Sequence, residues 1–324
     1  MSGEPRIFLL FLVLPGRWGH WLTFFLLATL LLTLFSLAGA FSGEEGSSRG
    51  VALFFIAVLS YIIPVFSAMI HRATECKAAI DGITPGEFEL PNLDRRSLGW
   101  QGAVLAAGLL FGSIHMTLLY LTGNLEGADN PLVTRMVATG TYIVWLVLTV
   151  VTTALIETAY AFNDAAKRVE VNLMNTRGLR PFAVIAMSFA LAMIGAQAAL
   201  TLMFLEGFSL SGFLPGWLAL FVTMLFLMAL PVWPVHRAIV AAKQAEVTRI
   251  NAAIEAAPVD ETDPVQKAAI VGPLLQYRRE ILEVPEWPFD LGFVARIGLY
   301  LLIPPVTWVG AALIEILVDT AISG

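Results

Sequence analysis

The sequence predicts an all-α membrane protein, a bundle of seven transmembrane helices with a helical hairpin between the sixth and the seventh. Hydrophobic residues make up 58% of the chain and charged residues only 14%, against about a quarter charged in an average globular protein. Seven apolar segments are long enough to cross about 30 Å of hydrocarbon, since a helix rises about 1.5 Å per residue. Lysine and arginine collect in alternate connections, as is typical of multi-pass proteins.

The spans are predicted near residues 18–40, 51–70, 100–122, 136–160, 181–205, 213–235 and 293–318. Each should be helical, because backbone amides find no water in hydrocarbon. The first six form three hairpins within residues 1–235, and residues 291–324 hold the seventh span.

The first span has an alternative interpretation. Residues 38–40 read Ala-Gly-Ala and resemble a signal-peptidase site. However, the apolar run before them is about 20 residues, longer than the 7–15 of a signal-peptide core. We therefore expect a retained first helix.

The basic residues predict the orientation. With a cytoplasmic N-terminus, every lysine and arginine except Arg49 and Arg135 lies on the cytoplasmic side. The prediction is N-terminus in and C-terminus out, in a bacterial-type cytoplasmic (inner) membrane. Basic residues on the inner face could also contact anionic lipid headgroups, although topology alone would place them there. The candidates are Arg72, Arg95, Arg96, Lys167, Arg168, Arg177, Arg180 and Arg237.

A similar short sequence precedes each helix that starts on the predicted cytoplasmic side. Each of these four sequences contains helix-breaking residues, and three of them contain tryptophan, as in VPEWPFD at 284–290. Proline ends the preceding helix, and tryptophan prefers the headgroup layer. The recurrence is compatible with a duplicated hairpin, and equally with three hairpins that meet the same interface.

The segment 236–290 is predicted to form a cytoplasmic helical hairpin. Asp263 and Pro264 suit the N-cap and first turn of its second arm, and Gly272-Pro273 should kink or restart that arm. The hairpin is either a solvated structure packed on its own bundle or a docking surface for a cytosolic protein or a second copy. We favour docking, since a simple connection could be shorter. The expected docking residues are Val247, Ile250, Leu274 and Ile281.

Two candidate sites lie inside the spans. Glu157 and Arg296 reach similar depths near the cytoplasmic end and could form a structural ion pair or a gate. A polar layer nearer the outer surface could bind a small ligand or relay protons, or could supply interhelical hydrogen bonds of about 1 kcal/mol each. This layer consists of His115, Thr141, Tyr142 and Gln197.

Several functions find no support in the sequence. A single cysteine, Cys76, excludes an intramolecular disulfide, and the spacing of histidines and cysteine required for zinc is absent. No nucleotide-binding or hydrolase motif and no aromatic-basic stretch for nucleic acid occurs. We therefore expect no cofactor, no metal and no enzymatic activity. The prediction is a membrane anchor, scaffold or sensor subunit, and the alternative is a channel or transporter for a small solute or ion.

Overall fold

The structure, a computed structural model, describes residues 12–16, 18–41, 49–85, 88–91, 96–123, 130–206, 210–257, 264–289, 295, 298 and 299. Within this part of the chain the regular secondary structure is helical, without strands. The helices are α1 (Gly19–Leu37), α2 (Arg49–Ile80), α3 (Leu98–Leu121), α4 (Pro131–Ala166), α5 (Arg180–Leu200), α6 (Leu210–Glu255) and α7 (Pro264–Glu283). Helices α1 to α6 are long and apolar enough to cross a membrane, as in a multi-pass membrane protein.

The predicted bundle is thus confirmed for six helices. The seventh predicted span, 293–318, lies outside the described residues except at three positions, so that span and the orientation stay predictions. Several helices are longer than their predicted spans, and α2 continues ten residues beyond 70. The ten added residues of α2 include three alanines, Arg72, Glu75 and Lys77, which favour helix even outside an apolar environment.

Successive helices run in opposite directions across the bundle. The ring of His20 in α1 forms a hydrogen bond of 3.2 Å with Ser67 in α2. At the other end, the Asn130 side chain donates to the carbonyl oxygen of Ala38 over 3.0 Å. We call the end at which α2 and α4 finish the hairpin end, and the end at which α1 and α3 finish the far end.

Four helices, α2, α4, α5 and α6, form the core of the bundle. The side chains of Phe162 and Phe182 are fully buried there and meet edge to face, with ring centroids 6.3 Å apart. Helix α1 packs on α2, and α3 packs mainly on α4. Most large side chains of α1 and α3 are exposed, as expected for helices that face lipid.

Helix α6 continues without a break through the predicted boundary at 235, although Pro215, Pro231 and Pro234 lie inside it. Proline lacks an N–H, so Pro234 leaves the carbonyl oxygen of Leu230 without its usual helical donor. The Asn163 side chain in α4 donates to that oxygen over 2.7 Å. A neighbouring helix thus satisfies a backbone group that the proline leaves free.

Helix α7 begins at Pro264, while Asp263, its predicted N-cap, lies outside the described residues. The helix continues through Pro273 and does not restart there.

Candidate functional site

The far end of the bundle contains a cavity lined by two of the predicted polar residues. His115 on α3 and Thr141 on α4 both contribute to its wall. The cavity has a volume of about 60 Å³ and is partly open to its surroundings. The rest of its described wall consists of apolar side chains and one tryptophan. His115 and Thr141 therefore line one cavity, and their role in a ligand or ion path stays a prediction.

His115 is held in place by a tryptophan that sequence analysis did not single out. Trp145 Nε1 donates a hydrogen bond of 2.9 Å to His115 Nδ1, and the two rings meet edge to face. Because Nδ1 accepts this bond, the neutral imidazole carries its proton on Nε2. The signal was present in the sequence, since Trp145 lies one helical turn after Thr141.

The other members of the predicted polar layer have separate surroundings. The hydroxyl of Tyr142 is 3.4 Å from that of Ser113 on α3. Gln197 is buried, but it does not line the described wall of the cavity. Its Nε2 has no acceptor within the described part of the chain. The four residues thus do not converge on one ligand site there.

The cavity is long and narrow and lies parallel to the helices. Its wall on α2 runs from Val51 to Ile62, and its wall on α4 runs from Val137 to Leu148. Each run covers eleven residue steps, or about 16 Å at 1.5 Å per residue. The Thr141 hydroxyl donates to the carbonyl oxygen of Val137 over 2.9 Å, which satisfies the hydroxyl within its own helix.

A second, smaller cavity of about 20 Å³ continues toward the hairpin end, again between α2, α4, α5 and α6. Each of these helices contributes one residue to the walls of both cavities. These shared residues are Ile62, Leu148, Ala196 and Leu220. An apolar ring therefore separates the two cavities.

Glu157 lies at the hairpin end in an open groove between α4 and residues 89, 91 and 96. Its carboxylate accepts a hydrogen bond of 3.1 Å from Arg96, whose guanidinium lies 5.8 Å from the ring centroid of Trp100. Arg296, the predicted partner, lies outside the described residues, so that pairing stays a prediction. Half of the Arg96 side chain is exposed, and such pairs contribute little to stability.

The four predicted docking residues require a correction. Ile250 is 3% exposed and Ile281 is fully buried, while Val247 and Leu274 are half-buried. Helix α7 packs against α6, so these side chains stabilise the hairpin instead of forming an exposed stripe. The helical spacing correctly indicated an apolar face, but α7 itself covers it.

Polar contacts hold α7 antiparallel to α6. The Tyr277 hydroxyl donates to Glu246 over 2.9 Å, and this carboxylate raises the pKa of Tyr277. Lys243 is only 8% exposed. Its Nζ donates to the carbonyl oxygen of Val284 over 3.0 Å and lies 3.4 Å from the carboxylate of Glu286. A buried ammonium requires such partners, because its hydration is lost.

The VPEWPFD segment closes the hairpin. The Trp287 ring stacks on the His236 ring with centroids 4.0 Å apart and planes 10° apart. His236 Nδ1 donates to the carbonyl oxygen of Glu286 over 2.9 Å. Trp233 and Phe289 also contact the Trp287 ring. We call these contacts, together with those of Lys243, the clasp.

Several basic residues at the hairpin end already have acidic neighbours. Arg72 pairs with Glu75, Lys77 with Asp81, and Lys167 with Asp164. The predicted contacts of Arg72, Lys167 and the other basic candidates with anionic lipid stay a prediction.

No group of three or more His, Cys, Asp or Glu side chains in the described part of the chain is arranged to hold a metal ion. Comparison of the chain with protein-family models, with curated proteins and with solved structures returned no match.

Proposed function

We propose that this protein is a non-enzymatic membrane subunit that anchors a rigid helical hairpin at the cytoplasmic face of a bacterial-type inner membrane. The observation that carries the proposal is the continuity of α6 over 46 residues. At 1.5 Å per residue the helix is about 69 Å long, more than twice the hydrocarbon thickness of about 30 Å. Its C-terminal part therefore extends well beyond the bilayer, and the basic residues favour the cytoplasmic side.

The hairpin is joined to the bundle by a continuous helix and by the clasp. A connection with no further role needs only a few residues. A rigid projection is what a docking or assembly surface requires, because little entropy is then lost on binding.

Helix α7 presents an outward face that suits a second copy of the chain. Ala268, Leu275 and Leu282 are exposed and follow one another at intervals of seven residues. Seven-residue spacing places apolar side chains along one stripe, as in paired helices. We propose this stripe as the assembly surface, in place of the inward-facing residues predicted from sequence.

Mass photometry of the detergent-solubilised protein tests self-assembly. We expect an oligomer that becomes monomeric when residues 240–283 are replaced by a short polar linker. Leu275→Glu should have the same effect, because it places a charge in the stripe. Gln276→Glu adds the same side chain at the next exposed position and should leave the oligomer intact. A monomeric native protein would contradict self-assembly and leave a different cytosolic protein as the partner.

If the clasp holds α7, removing one of its contacts should loosen this helix. Trp287→Ala removes the stacking on His236, and stacked aromatic pairs contribute about 0.5–1.5 kcal/mol beyond their buried area. We expect amide exchange in Pro264–Glu283 to accelerate by about tenfold, as measured by hydrogen–deuterium exchange. Trp21→Ala, at an exposed position on α1, is the matched control and should leave this exchange unchanged. Equal exchange rates in both variants would show that the clasp does not hold α7.

The alternative, a channel or transporter, has less support. An ion path from the level of His115 to that of Glu157 would have to pass the apolar ring that separates the two cavities. A charge loses its hydration at such a point, at a cost of several kcal/mol. The geometry of the cavities therefore favours an apolar occupant.

A further inference from the structure

We propose that the cavity at the far end is a binding site for one acyl chain of a membrane phospholipid. This site is independent of the proposed role of the hairpin. The cavity is about 16 Å long along α2 and α4, counted at 1.5 Å per residue. One leaflet of a bilayer contributes half of about 30 Å of hydrocarbon, so the length of the cavity matches that of a chain in one leaflet.

The width and chemistry of the cavity also suit a hydrocarbon chain. The cavity is narrow in relation to its length, as a single hydrocarbon chain is. The polar groups on the wall are few: the Thr141 hydroxyl donates within its own helix, and of the two His115 ring nitrogens Nδ1 accepts from Trp145. A polar solute would therefore exchange its hydration for a wall of mainly apolar side chains, whereas a chain from the bilayer loses none.

Toward the hairpin end the cavity is bounded by the apolar ring, and as a whole it is partly open to its surroundings. Ile62, Leu148 and Leu220 form its floor with Ala196. Half-buried residues such as Trp145 and Met203 belong to its wall, so the site is not sealed from the surroundings. A chain can thus enter from the bilayer and end at the floor.

Two arginines lie at the far-end starts of two helices that line the cavity, α2 and α4. Arg49 and Arg135 each precede, by two residues, the lining residue nearest the far end of their helix, Val51 or Val137. Both are exposed, and by sequence they are the basic residues of the predicted outer side. Guanidinium groups bind phosphate oxygens through paired, charge-assisted hydrogen bonds. The charge at this end is therefore complementary to a phospholipid headgroup.

Photolabelling tests the proposal directly. The native protein is reconstituted in vesicles of phosphatidylcholine that carries a diazirine in one acyl chain, and labelled residues are mapped by mass spectrometry. We expect label on Phe55 and Val58, which line the cavity and are each 3% exposed. Lipid that only surrounds the protein reaches exposed residues such as Leu109 and Leu110 on α3. Label confined to exposed residues would overturn the proposal.

Substitutions of one lining residue refine the test. Thr141→Phe fills the middle of the cavity and should lower the label on Phe55 and Val58 by about tenfold or more, with the α3 label unchanged. Thr139→Phe makes the same change at an exposed position on the same helix, and this matched control should retain both labels. Thr141→Val keeps the shape and removes the hydroxyl, so undiminished label supports recognition of hydrocarbon. Loss of label in Thr141→Val, or its persistence in Thr141→Phe, would contradict an acyl-chain site.

Discussion

Replacing Gly108 with leucine is expected to force α3 away from α4 and to destabilise the protein by about 3 kcal/mol, the upper end of typical overpacking costs. A Cβ atom at Gly108 would lie 3.0 Å from Leu146 Cα and 3.3 Å from the Trp145 carbonyl oxygen. These are backbone atoms, so only movement of a whole helix relieves the contact. Gly112, one turn later, packs against a side chain instead, since an added Cβ would lie 2.7 Å from the Tyr142 ring. Small residues at this spacing allow membrane helices to approach closely.

Thermal unfolding in detergent measures this effect, and Gly102→Leu is the control. An added Cβ at Gly102 has nothing within 4 Å, although this glycine lies on the same helix. The variant Gly108→Leu should also break the hydrogen bond between Trp145 and His115, because His115 moves with α3. Equal unfolding temperatures for the two variants would mean that close approach of α3 to α4 is not required.

Replacing Asn163 with leucine should destabilise the bundle by about 1 kcal/mol or more, since a partly buried acceptor loses its donor. The acceptor is the carbonyl oxygen of Leu230, to which Pro234 cannot donate because proline has no backbone N–H. Thermal or denaturant unfolding of the detergent-solubilised protein provides the measurement.

A double-mutant cycle isolates the cause. Pro234→Ala restores a backbone N–H that can donate to Leu230 within α6. In this background Asn163→Leu should cost less than in the native chain, by about 1 kcal/mol or more. Additive effects would indicate that Asn163 acts through packing, independently of the proline.

The positions of the helices followed from hydropathy, but their lengths and partners did not. Apolar runs predicted six helices that the structure contains, because a membrane leaves a chain few other conformations. The sequence suggested an end for α6 near Pro234, and the helix continues through this proline, where Asn163 in α4 supplies the missing donor. That donor is 67 residues away along the chain, so no local pattern reveals it.

For the candidate sites, too, the sequence predicted how deep a residue lies in the bundle but not which residues surround it. Helical depth placed His115 and Thr141 at one level, and both line the same cavity. Depth does not specify the direction of a side chain around the helix axis, and Tyr142 and Gln197 have other neighbours. The helical spacing of apolar residues indicated that the hairpin has an apolar face. It did not indicate that α7 covers this face.

By itself the sequence determined that this protein is a helical bundle of membrane-spanning segments, because the free energy of burying about 20 consecutive apolar residues depends on local composition alone. Only the tertiary structure decided which surfaces remain available. Burial of Ile250 and Ile281, the partnership of His115 with Trp145 and the cavity between α2, α4, α5 and α6 depend on how distant segments pack. Packing is set by the shapes of facing side chains, and a one-dimensional pattern does not contain the identity of the residue opposite.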